Sequence, residues 1–251
     1  MRDMGKHLPI PAVTGKQMAA VDRAMVEVCG LDLLQVMEVA GRAIAIEARE
    51  MADQCDPGRE PIAVLCGTGG NGADAMVCAR YLTGWNWTSE LWLVQPADTY
   101  RGLAAHQLHI CQKLGMVVHE PDEPLFNETD TKMFVDGLFG FGLNALVTGR
   151  AEQMIRAANG MAKPTIAIDI PSGIHATTGE VLGVAIEATE TVTLGLPKVG
   201  LRRGEGSGHA GRVIVADIGI PSAAYEAVGI PLTPLFWDAE FVDLGECELV
   251  L

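Results

Sequence analysis

The segment AVLCGTGGNGADAMVCARYL, residues 63–82, constrains this chain most. A continuous apolar run passes into four closely spaced glycines, Gly67, Gly69, Gly70 and Gly72, and then into apolar residues at helical spacing. A buried strand, a bare turn and a helix in that order make the first half of a βαβ unit. Glycines there let backbone amides approach a ligand, and the opening of the helix favours an anion. The spacing is neither a clean G-x-G-x-x-G fingerprint nor a Walker loop, which would place Lys then Ser or Thr after the last glycine. The turn therefore points to a phosphate-bearing or nucleotide-like ligand without naming it. The competing reading is a tight strand-to-helix turn with no ligand.

Similar units recur. A helix is predicted from a Thr14/Gln17 capping box to about Gly30, and a second over 31–52. Apolar runs at Ile62–Cys66, Glu90–Gln95, 116–119, Met133–Phe139, Thr165–Ile170, Thr189–Leu194 and Arg212–Asp217 read as strands. Helices are expected after the glycine turn to about Leu82, over 100–115 and near 150–159. Such alternation implies an α/β fold, a mainly parallel sheet covered on both faces. With 251 residues and 49% hydrophobic content, one domain over 1–251 is expected. RGEGSGHAG, 203–211, reads as a flexible loop.

Two further strand ends carry unusual chemistry. In FVDGLFGFGLN, 134–144, Asp136 interrupts an apolar strand and needs a cation or several donors nearby. In IAIDIPSGIHATTGE, 166–180, Asp169 ends a strand before Pro171, Ser172 and Gly173. Asn71, Asp136 and Ser172 could offer neutral and anionic oxygens to one hard ion. Asp74 could face a hydroxyl, a ribose or a cation, or simply decorate a first helical turn. Lys198, after a strand, is either a phosphate partner or a solvated loop lysine. His106 and His109 read as a polar helix face, and His175 and His209 as loop residues that could visit a site.

Lys+Arg 18 against Asp+Glu 32 gives a formal charge of −14, which works against nucleic acid or an anionic membrane surface. The six cysteines form no CxxC pair and read as buried thiols in a reducing compartment. No apolar run is long enough to cross a bilayer and no signal-peptide pattern opens the chain, so a cytoplasmic protein is expected.

With these segments together, the chain resembles the YjeF N-terminal domain family, the NAD(P)H-hydrate epimerases. The likeness runs over roughly 13–221, through VTGKQMAAVDRAM, VMEVAGRAI, the glycine turn, VDGLFGFGL, IDIPSGIHATTGEVLG, TVTLGLPKVGL and GRVIVADIGIP. It implies a Rossmann-like three-layer α/β/α sandwich, usually a homodimer. The implied activity interconverts the R and S forms of hydrated NADH or NADPH, so that a separate dehydratase can restore the cofactor. It also implies a potassium ion held by Asn71, Asp136 and Ser172. Substrate would contact Gly70, Asn71, Gly72, Ala73 and Asp74, the loop Gly140, Phe141, Gly142, Leu143 and Asn144, and Asp169, with Lys198 as a phosphate partner. Asp169 is expected to shuttle the proton, with Asp74 as the second candidate.

The chain departs from the family pattern at Val39, Gly70, Ala73, Ala75, Phe141 and Ala145. Alanine for glycine would add a methyl where backbone approaches ligand, and Ala145 stands where an arginine is usual. A non-catalytic nucleotide-binding or scaffold protein of the same fold is the alternative. A dehydrogenase or methyltransferase explains the glycine turn but not the DIPSG turn.

Overall fold

The computed structural model describes residues 10–55, 60–127, 130–230, 239–245 and 249–250. β1 (Ile10–Pro11) leads to α1 (Gly15–Glu27), which opens on the Thr14/Gln17 capping box, and to α2 (Leu33–Gln54). Asp32 and Gln35 form a second capping box at the start of α2. Then follow β2 (Ile62–Cys66), α3 (Gly70–Gly84), β3 (Ser89–Leu93), α4 (Gly102–Lys113), β4 (Val118–His119), β5 (Met133–Gly137), α5 (Gly149–Gly160) and β6 (Thr165–Ile168). β7 (Glu190–Leu194), α6 (Gly206–His209), β8 (Arg212–Ala216), α7 (Ser222–Glu226), β9 (Phe241–Asp243) and β10 (Leu249–Val250) complete the described elements.

Eight strands form one sheet in the order β4-β3-β2-β5-β6-β7-β8-β9, parallel except for the antiparallel β8–β9 edge. β1 and β10 form a separate parallel pair. The alternation of side chains along β2 explains why its run is apolar throughout. Ile62, Val64 and Cys66 pack with α2, α3 and α4, whereas Ala63 and Leu65 pack with α5 on the opposite face. Both faces of the sheet are covered, giving the three-layer α/β/α arrangement.

Strand order decides where the site lies. From β2 the chain steps outward to β3 and β4, then returns to place β5 on the other side of β2. β2 and β5 therefore flank a topological switch point, where open α/β sheets leave a crevice at the strands' carboxyl ends. Cys66 pairs in register with Gly137, so the glycine turn and the Asp136 segment leave the sheet side by side.

Several boundaries correct the sequence expectation. β5 stops at Gly137 rather than Phe139, because Phe139 N–H donates to Ser172 instead of continuing the ladder. β6 stops at Ile168 because Asp169 takes a left-handed backbone, φ +69°. Residues 203–211 are not a loose loop. They include α6, Gly206 fits where a Cβ would come 1.9 Å from Gly200 O, and Ala210 is buried. β9 and α7 follow residue 217, beyond the last predicted strand. Cys66, Cys78 and Cys111 are buried free thiols, Cys29 and Cys55 are partly buried and free, and Cys247 lies outside the described residues. No described helix is long and apolar enough to cross a membrane.

Candidate active site

A cavity of about 580 Å³ opens at the carboxyl ends of the central strands. Its floor comes from Thr68, Gly69, Gly70, Asn71 and Asp74 at the start of α3, from the 138–145 loop after β5, and from Asp169, Leu194 and Lys198. Its opposite wall comes from α1 and α2 through Met18, Asp22, Met25, Leu33, Val36, Met37 and Ala40. Fourteen apolar side chains surround a few convergent polar groups, the usual composition of a small-molecule site.

The glycine turn is shaped by contact and not only by flexibility. A Cβ on Gly67 would lie 1.9 Å from Leu138 O, and one on Gly72 would lie 1.9 Å from Gly67 O. Gly69 caps α3 with no side-chain hydrogen bond, so the first-turn amides of this 15-residue helix meet the cavity uncapped. That end attracts anions through its free N–H groups and the helix dipole.

Gly70, Asn71, Asp74, Gly140, Phe141, Gly142, Leu143, Asn144, Asp169 and Lys198 all line the cavity. Gly72 and Ala73 do not. Both are buried, because the first turn of α3 packs back against the Gly67 loop and the sheet. Ala75 is likewise buried, its Cβ against Gly137. The two alanines thus add methyls to the core side of α3, not to the ligand side. Val39 is exposed on α2 away from the cavity.

Lys198 corrects the sequence reading most. It is neither solvated nor free for a phosphate, since its side chain is fully buried. The ammonium forms an ion pair with Asp169 and donates to Leu194 O at 2.9 Å and Thr193 Oγ1 at 3.4 Å. Those three acceptors match the three N–H donors of an ammonium. The Asp169 Oδ1 that meets Lys198 also accepts from Leu194 N–H at 3.3 Å. A buried ion pair anchored on a strained residue is the kind of arrangement that clusters at functional sites.

Two further carboxyl groups face this pair. Burial, with the like charges of Asp169 and Asp22, holds the Asp74 carboxyl well above the ordinary range. Burial also pushes Asp22 on α1 up to about 6, against the lowering effect of Lys198. Asp22 was absent from the sequence-based set. The signal was available: Met18, Asp22 and Met25 share one helical face.

Asp136 and Ser172 sit behind the cavity wall and are joined directly. Ser172 Oγ donates to Asp136 Oδ1 at 2.6 Å, Ser172 N–H to Asp136 Oδ2 at 2.8 Å, and Leu138 N–H to Oδ1 at 3.2 Å. Burial still outweighs these three donors and raises Asp136 to about 6. Asn71 stands nearby: a Cβ on Gly140 would come 3.0 Å from its Oδ1, and its backbone carbonyl packs on Gly137. The Asn71 amide nitrogen is buried with no hydrogen-bond partner. Rotating that amide by half a turn would present its oxygen to the same place. A buried carboxylate without a cationic side chain, a hydroxyl and an unmatched amide form an oxygen-rich corner that fits a hard cation.

None of the described histidines lines the cavity. His106 and His109 are exposed on α4. His175 Nδ1 accepts from Thr178 N–H at 3.1 Å, and His209 Nδ1 meets Ile186 O at 3.0 Å. No group of three or more His, Cys, Asp and Glu suited to a metal occurs among the described residues.

The family model described as YjeF-related protein N-terminus matches residues 33–200, from α2 through the glycine turn and both acidic strand ends. The chain belongs to the YjeF N-terminal family. Among its relatives, the NAD(P)H-hydrate epimerase of Leuconostoc mesenteroides is 36% identical over 211 residues, covering 83% of this chain and 90% of the relative. The bifunctional NAD(P)H-hydrate repair enzyme Nnr of Salinibacter ruber is 36% identical over 224 residues, covering 84% of this chain and 41% of that longer protein. The chain thus spans less than half of the bifunctional relative. The crystal structure of yeast ynu0 superposes with a TM-score of 0.80 at 20% identity, covering 94% of this chain and all of that one. At that identity the superposition establishes a shared fold.

Proposed function

We propose that this YjeF N-terminal protein is an NAD(P)H-hydrate epimerase, interconverting the R and S forms of hydrated NADH or NADPH. The observation that carries this reading is the buried Lys198–Asp169 pair opening onto a largely apolar cavity beside an uncapped helix start. The names of relatives at 36–38% identity point the same way.

The substrate's reacting carbon bears a hydroxyl and neighbours the ring nitrogen. Loss of that hydroxyl leaves a cation shared with the nitrogen, and return of water from the other face inverts the centre. An apolar wall disfavours stray solvent, while the Asp169 carboxylate favours the transient positive ring. Asp169, kept in place by Lys198 and Leu194 N–H, moves the proton at its free carboxylate oxygen. Asp74, which lines the cavity from α3, is the alternative candidate for that shuttle. The uncapped amides of Gly70 and Asn71 take the substrate's phosphate, with Gly140 to Asn144 flanking it. Gly72 and Ala73 support the turn from behind.

Asn71, Asp136 and Ser172 would hold a potassium ion, which when bound neutralises the buried Asp136 carboxylate and fixes the two loops around it. The product requires a dehydratase specific for the S form. The bifunctional relative supports such a partner, as does the length of chain it has beyond the match. A cytoplasmic homodimer is part of the same reading, and sedimentation of the purified protein checks the dimer.

The test mixes hydrated NADH epimers with an S-specific dehydratase. Adding this protein is expected to speed disappearance of the R form. No acceleration, with or without potassium, contradicts the assignment.

A further inference from the structure

The α1 wall of the cavity matches none of the chemical motifs in the sequence, yet it brings an acid to the site. Met18, Asp22 and Met25 reach the cavity from one face of α1, and Asp22 is the only ionisable side chain of the three. α1 is not free to drift from the site. Val13 N–H donates to Pro197 O at 2.9 Å and Val199 N–H to Val13 O at 3.0 Å, which pins the entry to α1 on either side of Lys198. Gly15 N–H donates to Thr177 Oγ1 at 3.2 Å, and Gly15 sits where a Cβ would come 2.7 Å from Phe141 O. The helix carrying Asp22 is therefore braced against both the lysine loop and the 138–145 loop.

Inversion imposes a demand that one acid does not meet. Water must leave one face of a planar carbon and return to the other. A single carboxyl on one wall returns the proton to the face it came from. Asp169 lines the cavity from the strand ends and Asp22 lines it from α1.

Resting on the epimerase reading above, we propose that Asp22 is the second acid of the reaction, serving the ring face that Asp169 does not reach. In one direction the Asp22 carboxyl gives its proton to the substrate hydroxyl. The carbon–oxygen bond breaks, its electron pair leaves with water, and the ring nitrogen's lone pair stabilises the cation. A water on the far face then adds to the carbon and passes its proton to the Asp169 carboxylate. The ring is neutral again and no oxidation state changes. The proton has moved from Asp22 to Asp169, and the reverse reaction or exchange with solvent returns it.

The charged surroundings suit that division. Asp22 faces Lys198 and Asp169 from the strand ends, Arg23 on its own helix, Asp74 on α3 and Tyr225 on α7. Burial favours a protonated Asp22 up to about pH 6, whereas Asp169 has an ammonium against it. One acid is thus placed to donate and the other to accept.

The experiment measures epimerisation of the pure R form from pH 5 to 9 with wild type, Asp22→Asn and Asp22→Glu. Wild type is expected to lose rate as pH rises past about 6. Asp22→Asn should lower kcat at least a hundredfold, leave KM within threefold, and remove that falling limb. Asp22→Glu, which keeps the acid, should retain a tenth or more of the rate and the limb; it decides the matter if Asp22→Asn does not fold. Folded Asp22→Asn with wild-type kcat and profile, or folded Asp22→Glu without the limb, overturns the proposal and leaves the epimerase reading standing. A wild-type protein with no epimerisation at all overturns that reading and this proposal together.

Discussion

Lys198 and Asp169 meet as a buried ion pair in the floor of the cavity, the lysine filled by three acceptors and the aspartate held in a left-handed backbone. Neither residue is placed for stability alone. Taking two charges from water costs as much as the pair regains, so such pairs are weak stabilisers but dangerous to break. Replacing Lys198 by Met should cost roughly 3–5 kcal/mol, because it strands a buried carboxylate. The double change Lys198→Met with Asp169→Leu should recover much of that loss while remaining inactive. Urea unfolding of the two variants and the wild type checks the ordering. Equal stabilities for Lys198→Met and wild type contradict it.

Asp169→Asn keeps the shape of the carboxyl and removes its proton chemistry. Epimerisation should fall by at least about 10²-fold, the lower end of the usual contribution of a positioned proton-transfer group. Circular dichroism should remain that of the wild type. A folded variant with undiminished rate would remove Asp169 from the mechanism.

At the other end of β7, Glu47 and Glu190 are buried together. Burial first, then the negative charge of Glu190, raises Glu47 to about 7, and burial raises Glu190 as well, with Arg212 opposing. Glu190 Oε1 has no hydrogen-bond partner, and a protonated Glu47 supplies one. The folded state therefore binds this proton more tightly than the unfolded chain. Stability should fall as pH rises between about 4.5 and 7, by up to ~1.4 kcal/mol per pH unit from this group. Asp22 and Asp136, both raised to about 6, act in the same direction. Denaturant titrations at several pH values should show a shallower slope for Glu47→Gln. An identical slope refutes the shared proton.

Glycines that look alike in the sequence should separate on mutation. A Cβ on Gly72 meets the Gly67 carbonyl at 1.9 Å, whereas one on Gly69 meets nothing within 4 Å. Gly72→Ala should destabilise by roughly 2 kcal/mol or more, in the range of a backbone strain defect. Gly69→Ala should leave the melting temperature within a few degrees and weaken substrate binding by placing a methyl in the cavity. Thermal melts and KM values distinguish the two.

The contrast between those glycines shows what the sequence carries and what it omits. The α/β class was legible because Ile62–Cys66 and residues 166–168 are apolar throughout, as suits strands covered on both faces. The three acidic and glycine-rich strand ends were legible because a charged residue in such a run is costly unless it serves a purpose. Which glycine faces ligand and which faces carbonyl depends on how α3 docks, and local pattern does not carry that. Lys198 stayed open between a phosphate partner and a solvated loop lysine because its partner Asp169 lies 29 positions earlier in the chain. No motif marks Asp22, because the wall it completes forms only when α1 folds over the strand ends. β9 is short and half-exposed, so it lacked the apolar run that marks the central strands.

Removal of potassium should lower the epimerisation rate if Asn71, Asp136 and Ser172 hold it. Replacing it by tetramethylammonium at constant ionic strength is the appropriate control, since the larger ion does not fit among those oxygens. Asp136→Asn should abolish the difference between the two salts. A wild-type rate indifferent to the cation would refute that role for the corner.

The central claim is that this cavity inverts the hydroxylated carbon of a reduced nicotinamide hydrate. Purified R-form hydrated NADH, incubated with the protein and separated chromatographically over time, tests it without any coupling enzyme. The account predicts growth of the S form to an equilibrium mixture, reached far sooner than without protein and reached from either pure epimer. Growth of the S form no faster than in buffer, by protein shown to be folded and supplied with potassium, would contradict it.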